Sequence, residues 1–164
     1  MKKYVRPLLY GVLALLVLAQ FYRPTRNLSN DQTHHVSTKY PVPAEVEAIL
    51  NPACYDCHSN QTAYPWYAEI QPVASWLANH VGGGKRKLNF STLTNRSIAV
   101  QNHKFEEIIE MVKEGNMPLN SYTWIHSDAR LSEQQRQTLV DWAQANMDSL
   151  SAKYPADSLV LKRK

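Results

Sequence analysis

The chain has 164 residues, enough for one ordinary domain and little more. It is 44% hydrophobic and 20% charged, with nine Pro against five Gly, which excludes collagen-like, mucin-like and acidic disordered chains. The two cysteines, Cys54 and Cys57, are too few for a multi-bridge scaffold or a four-thiolate metal site. The formal charge of +4 is concentrated at the ends. Lys2, Lys3, Arg6, Lys162, Arg163 and Lys164 are six of the 18 basic residues, and the other 12 face 14 acidic ones. The body is therefore slightly acidic and shows no basic stripe with interleaved aromatics, so nucleic acid is not expected as a partner.

Three cations precede Leu8–Phe21, a run of 14 residues without charge. This is the pattern of an export signal. Val17-Leu18-Ala19 permits cleavage after Ala19, while the stretch from Tyr4 to Tyr22 leaves a retained anchor open, with Lys2 and Lys3 kept inside. Residues 1–22 are thus expected to be a signal peptide or membrane anchor. Residues 23–42, rich in turn formers, are expected to be a solvated tether, with His34-His35 part of it.

A domain is expected over 43–150. Pro43–Asn51 predicts a short helix with Val46, Ile49 and Leu50 on one face. It leads into Cys54-Tyr-Asp-Cys57-His58, the C-x-x-C-H attachment signature of haem c. Two thiols about one helical turn apart can reach both vinyl groups of one porphyrin. The imidazole that follows them can bind the iron from below. Attachment occurs outside the cytoplasm, which agrees with the export signal. Three simpler readings compete: a redox dithiol, half of a zinc site, and a lone structural disulfide. The first lacks a βαβ context, and the second lacks further ligands at suitable spacing.

Downstream, Tyr64, Trp66, Tyr67 and Trp76 are expected to wall the porphyrin. Pro72–His80 is expected to be helical, and Gly82–Lys87 a flexible basic loop, a solvated turn in preference to a partner for haem propionates or an acidic protein. Asn102 is expected to cap a helix from His103 to Glu114. Gly115 then stops that helix and Pro118 forbids its continuation. Met117 between them sits on an extended loop that can aim a thioether at iron, whereas Met111 and Met147 fall on apolar helix faces. Met117 is therefore the expected distal iron ligand, with His126 the alternative. His80 and His103 are expected at the surface or in caps. Ser132 and Gln135 form a capping box for a last helix that reaches Leu150 and carries Leu139, Trp142, Ala143 and Met147 on its apolar face. After Pro155 the tail, residues 151–164 overall, is expected to be disordered. No internal repeat and no strand is evident.

The order C-x-x-C-H, Gly115-x-Met117-Pro118, and Leu131-Ser132 opening a C-terminal helix resembles class I cytochromes c. The stretch Cys57-His58-Ser59-Asn60-x-Thr62 is more specific. So are Tyr64-Pro65-Trp66-Tyr67, Leu88-Asn89-Phe90-Ser91 and Ala129-Arg130-Leu131-Ser132. Together they resemble the haem-binding domain family of small exported single-haem proteins, over about residues 40–146. The resemblance implies one covalent haem c in a mostly α, cytochrome c-like domain. It also carries a His where His126 stands. Its usual single Gly-Arg is replaced here by Gly82-Gly83-Gly84-Lys85-Arg86. The expectation is a monohaem c-type cytochrome on the periplasmic side of the cytoplasmic membrane, anchored or released by cleavage. Cys54 and Cys57 would be its thioether donors, His58 its proximal iron ligand, and membrane or periplasmic redox proteins its partners. Electron transfer rather than enzymatic turnover is expected. The alternative is a haem sensor or peroxidase-like protein with an open sixth site.

Overall fold

The computed structural model describes residues 2–162; the tail cations Arg163 and Lys164, and the side chains of Lys2 and Lys3, lie outside what it describes. The described chain is mostly helical. Its only β pairing is an isolated antiparallel bridge between Leu28 and Gln61. The α-helices are α1 (Lys2–Ala19), α2 (Ala44–Leu50), α3 (Asp56–His58), α4 (Val73–Lys87), α5 (Ile98–Lys113), α6 (Asn120–Thr123) and α7 (Glu133–Lys153).

The core lies where α5 packs on α7, with α2 against α7. Phe105, fully buried, sits edge-on between Tyr40 at 4.9 Å and Trp142 at 5.6 Å. Ile108 and Val112 of α5, with Leu139, Val140 and Ala143 of α7, extend the same cluster. These positions follow the 3.6-residue period, so each helix buries one stripe and leaves its charges outside. The Ser132–Gln135 capping box forms as expected and opens α7.

Helix α5 stops where the sequence says it should. Gly115 takes φ of +70°, the left-handed region that glycine enters without a Cβ penalty. The Asn116 and Met117 N–H groups then both donate to the Met111 carbonyl, and Arg136 Nη1 donates to the Val112 carbonyl at 2.9 Å.

Four segments differ from expectation. The tether is packed: Val36 and Tyr40 are buried in the core, and the Trp142 indole N–H donates to the Pro41 carbonyl at 2.8 Å. Turn-forming residues thus make a wrapped arm held by tertiary bonds. Second, Gly82–Lys87 is the last part of α4 rather than a loop. Third, α5 begins at Ile98 and is capped by Ser97, whose hydroxyl accepts from the Val100 N–H; Asn102 lies inside the helix. Fourth, beyond Pro155 the chain forms a 3₁₀ turn over Ala156–Ser158, and Leu159 returns to the core.

Helix α1 projects its apolar side chains into solvent along its length, Leu8, Leu13 and Leu18 among them. Its far end is tied to the domain. Gln20 and Gln71 exchange amide hydrogen bonds, and Gln71 Nε2 also donates to the Tyr22 carbonyl. No helix among the described residues is long and apolar enough to cross a membrane.

Candidate functional site

The C-x-x-C-H segment ends a continuous helical run from Ala44 to His58. Pro52 falls inside that run. In an α-helix its ring would clash with the carbonyl four residues back. The run widens here into a π turn, Asn51–Tyr55, before tightening into α3. A π turn takes an extra residue and so resets the face that later residues occupy. Cys54 lies in the π turn, and Cys57 and His58 in α3.

Both cysteines are free thiols. Burial pushes the Cys54 thiol up to about 12, with the neighbouring Cys57 adding to it. Burial and the Asp56 carboxylate push Cys57 up to about 11. This is opposite to the direction that activates a redox dithiol. At neutral pH both stay as thiols.

His58 is held from two sides. Its Nδ1 lies 2.9 Å from the Leu88 carbonyl, which only accepts, so Nδ1 carries the proton and Nε2 keeps a free lone pair. Burial lowers its pKa, which keeps the ring neutral. Its own carbonyl accepts from the Phe90 N–H at 2.8 Å. A neutral imidazole with Nδ1 tied to backbone is the usual state of a metal-binding histidine.

Polar bonds fix the residues around this imidazole. The Asn60 N–H donates to Ser91 Oγ, Asn89 Nδ2 donates to Asn60 Oδ1, and Asn60 Nδ2 donates to the Asp31 carbonyl. Asn27 Nδ2 donates to the Ser59 carbonyl and to Thr62 Oγ1. The Thr62 hydroxyl donates to the Asp56 carbonyl at 2.6 Å. Ser59, Asn60, Thr62 and Ser91 are all buried, so these bonds satisfy groups that would otherwise be costly to bury. The sequence singled out these motifs by resemblance; their physical role is to clamp the loop after His58 between the N-terminal arm and the segment after α4.

Helix α4 meets α3 with almost no clearance. A Cβ on Gly84 would lie 2.5 Å from the Cys57 carbonyl oxygen and 3.1 Å from Cys57 Cβ. Only glycine allows α4 this close, and the approach brings the Leu88 carbonyl to His58. This is the reason position 84 is glycine despite glycine's poor helix propensity.

Cys54, Cys57 and His58 open onto a cavity of about 330 Å³ with a mainly apolar lining. Ala53, Gly83, Gly84, Pro118, Leu119 and Tyr122 line it as well, and so does Met117. The expected distal residue therefore shares one cavity with the expected proximal one. His126 does not line it. That ring stacks on Tyr122 with centroids 4.2 Å apart, and its Nε2 bonds the Tyr67 hydroxyl. The Tyr122 hydroxyl in turn donates to Asp56 Oδ2 at 2.8 Å. His126 thus braces the loop after Met117 against the thiol-bearing helix.

One further expectation is corrected. Tyr64, Trp66, Tyr67 and Trp76 do not line the cavity, and Trp66 is 77% exposed. The aromatic wall is Tyr122 instead. His80 is half-exposed, in keeping with a surface position, and also lines the cavity, with Nδ1 held 2.9 Å from the Trp76 carbonyl. His103 is on the surface, between Glu106 and Glu107. Tyr122 carried no distinct signal; Gly84 and Lys87 were read only as part of a basic loop, and their place on the cavity comes from the α3–α4 contact, which sequence spacing does not show.

Two thiols, an imidazole with a free Nε2, a thioether, an apolar lining and a glycine cradle suit a flat apolar ring with a central metal. The donor set fits haem. The fold and site thus define a helical haem-binding protein. The family model of the haem-binding domain matches residues 14–145, and the chain belongs to that family. The match takes in the packed arm and ends within α7. No curated protein and no solved structure matches the chain.

Proposed function

We propose that the protein is an exported single-haem c-type cytochrome that passes electrons between redox proteins. The observation that carries this reading is the convergence of Cys54, Cys57, His58 and Met117 on one mainly apolar cavity. Cys54 and Cys57 are the thioether donors. His58 is the proximal ligand through Nε2, its orientation held by Leu88. Met117 is the distal ligand, on a loop fixed at one end by the Gly115 stop and at the other by Pro118. The bound haem supplies a one-electron couple. The chain contributes burial, a neutral imidazole and a thioether, all of which tune that couple. No acid–base pair is needed, because no substrate proton moves.

The cations Lys2, Lys3 and Arg6 ahead of the apolar run within α1 support export, and the bonded foot of α1 at Gln20–Gln71 supports a domain held close to the periplasmic face of the cytoplasmic membrane. Retention there gives high effective concentration towards membrane redox partners.

Replacing Met117 by Ala tests the distal assignment. The ferrous wild type should bind CO slowly and incompletely, and the variant should bind it readily with a changed ferric spectrum. A wild type that binds CO as readily as the variant would instead favour the open-site sensor or peroxidase-like reading.

A further inference from the structure

Helix α4 presents one stripe to the cavity. His80, Gly83, Gly84 and Lys87 all line it, at the i, i+3, i+4, i+7 spacing of a single helix face. Among the described residues Lys87 is the only lysine or arginine in the lining. It makes no hydrogen bond or ion pair among the described residues. Arg86 makes none there either, but neither it nor Lys85 lines the cavity. Lys85 Nζ donates to Asn27 Oδ1. The Arg86 guanidinium folds back over Gly82 and Gly83, where added Cβ atoms would meet it at 3.4 and 3.9 Å. The one carboxylate in the lining, Asp56, already accepts from the Tyr122 hydroxyl and the Ala63 N–H. The lining therefore carries one cation without a partner among the described residues, and one carboxylate whose oxygens are already hydrogen-bonded.

Haem is an apolar disc with two carboxylate arms, and an arm needs a cation or water. The geometry points to Lys87 as the residue that receives a haem propionate. The inference rests on the haem reading above and deepens it by giving the cavity a charged end. Arg86, the nearest equivalent of the family's Gly-Arg, does not face the cavity. The exposed ammonium–carboxylate pair contributes little to affinity on its own. Its effects would be to fix the orientation of the ring and to offset the negative charge of the propionate, which favours the reduced state.

Carbodiimide coupling of the full-length wild-type holoprotein tests the contact. The reagent converts the propionate into an O-acylisourea, the deprotonated Lys87 amine attacks its carbonyl carbon, an amide C–N bond forms as the C–O bond breaks, and the urea leaves with the carboxylate oxygen and the amine proton. After digestion, the peptide that carries Cys54 and Cys57 should be joined through its haem to the peptide that carries Lys87. Arg86→Gln should keep the join and Lys87→Gln should lose it at unchanged covalent haem content. The midpoint potential should fall in Lys87→Gln, recover in Lys87→Arg and stay put in Arg86→Gln. A wild-type holoprotein that gives no Lys87 join, or equal potentials for Lys87→Gln and Arg86→Gln, overturns the inference and leaves the haem reading standing. A chain with no covalent haem overturns both.

Discussion

The closest approach in the site makes the sharpest stability prediction. Alanine at Gly84 puts a methyl 2.5 Å from the Cys57 carbonyl oxygen, a distance real Cβ atoms essentially never show. Both partners are backbone or anchored at backbone, so relief requires α3 and α4 to part by about half an ångström; such overpacking costs about 1–3 kcal/mol. Helix propensity acts the other way, by about 1 kcal/mol in favour of Ala. Gly83→Ala isolates that second effect, since a Cβ there meets only the Arg86 guanidinium at 3.9 Å, an ordinary contact. The two substitutions share the propensity gain, so the difference between them reads the clash alone. Gly83→Ala should be neutral or stabilising, and Gly84→Ala should be less stable than it by about 1–3 kcal/mol. For a domain of this size each kcal/mol moves Tm by about 2–4 °C. Thermal and denaturant unfolding of the two holoproteins measures this. The spectrum should change as well, because moving α4 moves the Leu88 carbonyl away from His58 Nδ1. Equal stabilities and equal spectra for the two variants would refute the tight α3–α4 contact and the account of His58 that depends on it.

Two predictions concern the scaffold. Trp142→Phe removes the indole donor to the Pro41 carbonyl and leaves a void beside Phe105; it should cost about 1–3 kcal/mol, read as a lower denaturation midpoint with little change in slope. No loss would mean that the arm over 36–42 is not packed against α7. Burial depresses the His35 pKa below its ordinary 6.5, so the unfolded chain binds the proton more tightly than the folded one. Stability should therefore be at its full value above pH 6.5 and fall as pH drops from there towards the lower folded pKa. Protonation also takes away the Nδ1 lone pair that accepts the Ser37 N–H. His35→Gln should flatten that part of the pH–stability curve, and an unchanged slope would contradict the assignment.

The parts of this protein with local causes were legible in the sequence. The C-x-x-C-H spacing, the Gly115 stop, the Ser132–Gln135 box and the apolar stripe of α7 each depend on residues within a turn or two of one another. The parts with tertiary causes were not. Three consecutive glycines look like a loop, yet they lie in α4, and at Gly84 the helix approaches Cys57 more closely than a side chain allows. The Pro-bounded arm from Arg23 looks like a tether, and it is ordered by Val36 and Tyr40 in the core and by amide bonds from Asn27 and Asn60. Leu159 returns a tail that local composition marks as free. In the site, Cys54, Cys57, His58 and Met117 stood out by chemistry. Tyr122 is an ordinary residue, and Lys87 one of several loop cations, until the fold places them on the cavity. His126 stands out by its ring and its loop, and the structure places it outside the cavity lining, stacked on Tyr122.

The central claim is that Cys54 and Cys57 hold a haem covalently, and it is tested by expressing the full chain with the c-type maturation machinery, denaturing it and extracting with acidified organic solvent. The haem should stay with the protein, and mass analysis should find one haem on the peptide that spans Cys54–His58. Haem that passes wholly into the solvent, or a chain that remains colourless, would contradict the account.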